Sequence, residues 1–215
     1  MLRIIPEQML RVNCDVEEYV NLKDLERRKL YLSCEINTLD NEEGCNEYLS
    51  NVGHIVKAIL DFNEEDRGID PAKRHPIRLF INSPGGSIAE GFPLVSAIEL
   101  SKTPVYTINI GTWASMAFWI GIAGHKRFAL PYTEFLLHEG TLFTMGTAGS
   151  VQDTIEFNKR YKEKVIKRHV LRHSKMSSEE YDATLRRENY MLPEDALKFG
   201  FIDEIVSDID TILMS

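Results

Sequence analysis

The chain has 215 residues, of which 43% are hydrophobic, and its 33 acidic against 25 basic side chains give a formal net charge of -8. That length supports a single domain over residues 1–215 with one substantial core, and the acidic balance argues against a nucleic-acid partner, which needs a basic face. No apolar run approaches membrane-spanning length, the first residues do not read as a signal peptide, and Cys14, Cys34 and Cys45 have neither disulfide-framework nor zinc-site spacing, so a soluble, cytoplasmic protein with reduced thiols and no metal or cofactor is expected.

Residues 1–20 show no clear period and read as an irregular N-terminal arm. Lys29 to Ile36 reads as the first strand, Leu39 to Gly44 as a turn, and Tyr48 to Phe62 as a helix whose Leu49, Val52, Ile55, Val56, Ile59 and Leu60 share one face. The polar stretch from Asn63 to His75 is a long loop, followed by a strand from Ile77 to Asn82 and a helix from Ile88 to Leu100. Val105 to Ile110 is a third strand, and small residues then open a short apolar helix that ends near Gly124. Two short strands follow, Lys126 to Leu130 and Glu134 to His138. Gly140 to Gly149 is rich in glycine and threonine. A long helix spans Ser150 to about His173, with a seam suited to packing against a second copy. Ser177 to Glu180 is a capping box for a helix to about Arg187, Pro193 to Gly200 bounds another, and Phe201 to Val206 ends as a strand.

Alternating strands and helices predict a parallel βαβ sheet, in which ligands gather at the carboxyl ends of the strands. Ser115 lies at such an end, at a strand-to-helix turn where free amides favour an oxyanion; His138 lies at another. Ser83-Pro84-Gly85-Gly86-Ser87 turns the chain between a strand and a helix and leaves an amide free to face a ligand. Taken alone, each of these is better read as a packing residue or an ordinary turn. The remaining histidines, His54, His75, His125, His169 and His173, read as surface or helix-face residues, since none has ligand-like spacing to an acidic or thiol partner.

The ordered set Ile81-Asn82-Ser83-Pro84-Gly85-Gly86-Ser87, Gly111-x-x-Ala-Ser-Met116, Leu130-Pro131 with Leu137-His138, Arg187-Glu188, and Ala196 to Asp203 closely resembles the Clp protease proteolytic subunit. The resemblance runs from about Leu22 to Val206. It implies a crotonase-like α/β fold, a βαβ superhelix with a projecting helix-and-strand handle at 140–175. It also implies a serine endopeptidase assembled as a tetradecamer of two stacked seven-membered rings, fed unfolded protein by a hexameric AAA+ unfoldase. Carried over by position, Ser115 is the nucleophile, His138 the general base, and the amides of Gly86 and Met116 the oxyanion hole. Glu188 stands where the family usually has an aspartate, and can hold the imidazole tautomer in the same way. Other acids near it in sequence are Asp182, Asp195 and Asp203. Further departures are Glu139-Gly140 after the histidine, a short Gly124 to Arg127 segment, an inserted Asp70 to His75 loop and an atypical N-terminal arm. Together they point to a divergent, phage-type member. The competing expectations are a catalytically silent subunit that assembles with an active paralogue and, further behind, an acyl-CoA enzyme of the same fold.

Overall fold

The computed structural model describes residues 16–37, 52–185 and 187–213. The expected turn at 39–44, the start of the helix at Tyr48, Cys14 and Cys45 lie outside the described residues. The described chain opens with α1 (Val16–Glu26), β1 (Lys29–Leu32) and α2 (Val52–Glu65), then β2 (Ile77–Ser83), α3 (Ile88–Leu100), β3 (Val105–Ala114) and α4 (Met116–Ile122). It continues through β4 (Lys126–Ala129), β5 (Glu134–Leu137), α5 (Ala148–Tyr161), a π-helical stretch (Lys162–Lys167), α6 (Arg168–Arg172) and α7 (Ser178–Thr184). The last elements are β6 (Asn189–Met191), α8 (Pro193–Phe199), β7 (Glu204–Ile205) and α9 (Asp210–Leu213).

Parallel strands in the order β1-β2-β3-β4-β7 form the main sheet. As expected of a parallel sheet covered by helices, its central strands bury their apolar residues: in β2, Ile77, Leu79 and Ile81 are fully buried, and in β3, Val105 and Ile108. The ten residues of β3 change partner midway. Tyr106 to Asn109 pair with β4, whereas Thr112 to Ala114 pair with β5, which in turn pairs antiparallel with β6. Two asparagines hold that changeover. The buried Asn109 donates to the Glu134 carbonyl at 3.0 Å and accepts from the Gly111 amide at 3.0 Å, while Asn82 accepts from the Thr112 amide at 3.0 Å. The switch moves one edge of β3 from β4 to β5 while Trp113 still pairs with Ser83 of β2, and Ser115 follows the end of the strand.

Behind that turn, α4 is buried on every side, as its uninterrupted apolar sequence requires. Phe118 packs edge-on to Phe201 and Trp119 lies against Phe92 of α3. Among the described residues no helix is long and apolar enough to cross a membrane.

Several expectations are corrected. The N-terminal arm is helical from Val16, because helix-forming Glu, Leu and Lys carry α1 despite its weak amphipathic pattern. The first strand ends at Leu32, leaving Ile36 as an isolated bridge to Gly86. The 63–75 loop is shorter than read: α2 continues to Glu65, and Asp70 caps a 3-10 turn at Pro71–Lys73 through the Ala72 amide. The terminal strand contracts to Glu204–Ile205. In the handle region, read over 140–175, the helix forms from Ala148 with a π-helical stretch (Lys162–Lys167) inside it.

Candidate active site

Ser115 ends β3 with φ 54° and ψ -121°, one of two non-glycine residues at positive φ among those described. An L-residue held there costs roughly 1–3 kcal/mol, so the surroundings must enforce it. They do so from both sides: the Ser115 amide donates to Leu136 of β5 at 3.0 Å, and the Ser115 carbonyl accepts from Phe118 at 3.1 Å as α4 begins. This sharp strand-to-helix turn lifts the side chain off the sheet, the geometry of a nucleophile elbow.

The loop after β2 lies directly against that turn. A Cβ on Gly85, which has φ +93°, would come within 2.7 Å of Ser115 Cβ and 2.8 Å of the Met116 nitrogen. Gly86, at φ +139°, is bridged to Ile36: the Ile36 amide donates to Gly85 at 2.7 Å and the Ser87 amide donates to Ile36 at 2.6 Å. Both of those bonds use the neighbours of Gly86, so its own amide takes no part in the bridge. Met116 is the first residue of α4, where an amide has no acceptor within its helix. Of the two residues expected at an oxyanion hole, Met116 directly follows Ser115, and Gly86 follows the Gly85 that lies against it.

His138 follows β5, and its Nε2 is 2.8 Å from Ser115 Oγ. On the other side of the ring, Nδ1 is 3.2 Å from Glu188 Oε1. The carboxylate reaches it because β6 pairs antiparallel with β5 and Glu188 immediately precedes β6. The three side chains expected from the sequence, Ser115, His138 and Glu188, therefore stand in one line of contacts. The other acids near Glu188 are engaged elsewhere: Asp182 accepts from Lys167 at 2.8 Å, Asp203 binds Arg127 at 2.7 Å, and Asp195 caps the Leu192 amide at 3.2 Å. Glu139, the carboxylate next to the histidine, is paired with Lys162 of the π-helical stretch, which ties the handle helix to the segment that follows β5 and bears His138.

The reading of the other histidines needs correction at two positions. His169 is buried, with Nε2 2.8 Å from the Trp119 carbonyl and Nδ1 3.1 Å from Glu99 Oε1, and His173 Nε2 is 2.8 Å from the same carboxylate oxygen. Glu99 is held below the usual carboxylate range chiefly by its hydrogen bond to His169, with Arg172 and His173 adding to this against the effect of burial. The acidic partner is 70 residues from His169 in sequence, which is why spacing did not disclose it. The available signal was the interval of four between the histidines, which sets both on one face of a helix.

The Clp protease family profile matches residues 54–208. The chain is also similar to the ATP-dependent Clp protease proteolytic subunit 2 of Thermobifida fusca (strain YX), at 31% identity over 156 residues, covering 72% of this chain and 73% of that one. The matched span contains Ser115, His138 and Glu188. With its mostly parallel sheet and flanking helices in the crotonase-like arrangement, the chain belongs to the Clp protease family.

Proposed function

We propose that this protein is a serine endopeptidase, the proteolytic subunit of an ATP-dependent Clp-type protease. The reading is carried by the continuous line of contacts from Ser115 Oγ through His138 to Glu188, at 2.8 and 3.2 Å. In this mechanism His138 Nε2 takes the hydroxyl proton as Ser115 Oγ attacks the peptide carbonyl. Glu188 accepts a hydrogen bond from Nδ1–H, which fixes the tautomer and stabilises the imidazolium. The amides of Gly86 and Met116 donate to the oxyanion of the tetrahedral intermediate. The imidazolium then protonates the departing amine, leaving an acyl ester on Ser115, and a water deprotonated by His138 hydrolyses that ester.

The same reading has the chain assemble into stacked rings, seven-membered as in the family, whose enclosed chamber admits only unfolded protein from an AAA+ partner. Self-association is supported by α5, none of whose side chains is buried, and by the exposed Leu142, Phe143, Met145 and Phe157 along the handle region. A short fluorogenic peptide should be cleaved by the protein alone, with turnover lost in Ser115→Ala, whereas a stable folded protein should require ATP and the unfoldase. Rapid degradation of the folded protein without either would contradict the enclosed chamber. A monomer in sedimentation under all salt and glycerol conditions would contradict the ring. A silent subunit is the weaker reading, because it leaves the strained Ser115 and its alignment with His138 without a purpose.

A further inference from the structure

Beside α4, at the Trp119 carbonyl, Glu99 at the end of α3 meets His169 of α6 and His173, the residue after that helix. One ligating atom from each lies within 4.8 Å of the other two. The Trp119 carbonyl can only accept, so His169 Nε2 carries the proton that bonds it at 2.8 Å. The other ring nitrogen, Nδ1, faces Glu99 Oε1 at 3.1 Å, inside a residue only 4% exposed. That contact is held either by a second proton, which makes His169 an imidazolium donating to Glu99, or by a metal ion in the proton's place.

We propose that Glu99, His169 and His173 bind one divalent transition-metal ion of the zinc type per chain, with a coordination position open to the adjoining cleft. Two imidazoles and one carboxylate form a zinc-like donor set, softer than the all-oxygen sets preferred by magnesium and calcium. The bond from His169 to the Trp119 carbonyl is the outer support that ligating histidines ordinarily have, fixing tautomer and ring orientation. Metal bonds of about 2.0–2.1 Å separate tetrahedral ligands by roughly 3.3 Å. Glu99 Oε1 already stands 3.1 and 2.8 Å from the two nitrogens, and a small rotation of His173, whose side chain is 20% exposed, completes the set. Arg172 is paired with Glu99, but at 58% exposure its side chain is free to swing into water when a cation takes its place. The cleft of about 700 Å³ is lined by Glu99, Arg172 and His173 and gives the ion its entry path. The metal would clamp α3 to α6 beside Trp119 of α4, the helix that begins directly after Ser115.

Equilibrium dialysis of the chelator-treated full chain against Zn²⁺ tests this, with folding of each variant checked by circular dichroism. One zinc per chain is expected, with a raised Tm. His173→Gln and Glu99→Gln should each weaken binding by at least about 100-fold, the upper range for losing an outer support, while His138→Ala keeps it. Zinc should also shield His173 of the unmutated protein from carbethoxylation by diethyl pyrocarbonate, a readout that needs no variant. No saturable binding, binding kept in both Gln variants, binding lost only with His138→Ala, or His173 left unprotected in the zinc-loaded protein would each overturn the assignment.

Discussion

His138 and Glu188 face each other one step beyond the last pair of the β5–β6 ladder, where Leu137 stands opposite Asn189. Facing residues of antiparallel strands have Cβ atoms about 4.5–5.5 Å apart, close enough for a glutamate to reach a histidine ring. The acid is thus delivered by strand register, although its side chain is 59% exposed. Glu188→Gln should leave assembly intact and lower peptidase turnover by a large factor, up to about ten-thousand-fold by analogy with triad amide substitutions. Glu188→Asp, one methylene shorter from the same backbone position, should recover only part of the rate. Unchanged peptide turnover in Glu188→Gln, with the oligomer intact, would remove this residue from the mechanism.

Gly85→Ala should abolish turnover. Its φ of +93° is strained for alanine, and the new methyl would press on the Ala114 carbonyl, Ser115 Cβ and the Met116 nitrogen, at 2.5, 2.7 and 2.8 Å. Steady-state kinetics beside a melting curve measures this, and wild-type kcat/KM in a folded Gly85→Ala would show that the turn tolerates displacement.

Arg28 and Asp66 join β1 to the end of α2. Arg28 donates two parallel bonds to the Asp66 carboxylate, at 2.7 and 2.8 Å, and Thr103 adds a third at 2.8 Å. Removing one partner of a buried pair leaves the other charge uncompensated, at a typical cost of about 3–5 kcal/mol. Arg28→Met should therefore lower stability by an amount in that range, reduced to the extent that water reaches Asp66. Adding Asp66→Asn should restore part of the loss, and denaturant titration of the single and double variants measures both.

The same pair sets an acid limit. The Arg28 guanidinium, with help from Thr103 and Arg74, holds the Asp66 carboxyl below its ordinary value against the opposing effect of burial. A depressed carboxylate contributes stability that is fully present above its unfolded value of about 3.9 and is lost as pH falls through the folded value. Asp66→Asn should flatten the acid limb of Tm against pH below about pH 4, while lowering stability at neutral pH. An acid limb identical to wild type would contradict the assignment.

Much of the fold was legible because its cues are local. Apolar runs marked β2 and β3, the capping box at Ser177 to Glu180 marked α7, and Pro193 with Gly200 marked α8. Ser115, His138 and Glu188 were legible as an ordered set of motifs, and the structure brings them into contact. What escaped depends on contacts between distant segments. The change of partner within β3 rests on Asn82 and Asn109 meeting backbone groups of other strands, and the Glu99 cluster joins helices about 70 residues apart.

Ser115 as the nucleophile is tested most directly by treating the assembled protein with a fluorophosphonate and mapping the adduct by peptide mass spectrometry. The adduct should lie on Ser115 alone, disappear in Ser115→Ala, and form much more slowly in His138→Ala. An adduct on another residue, or none in an intact assembly, would contradict the proposed mechanism.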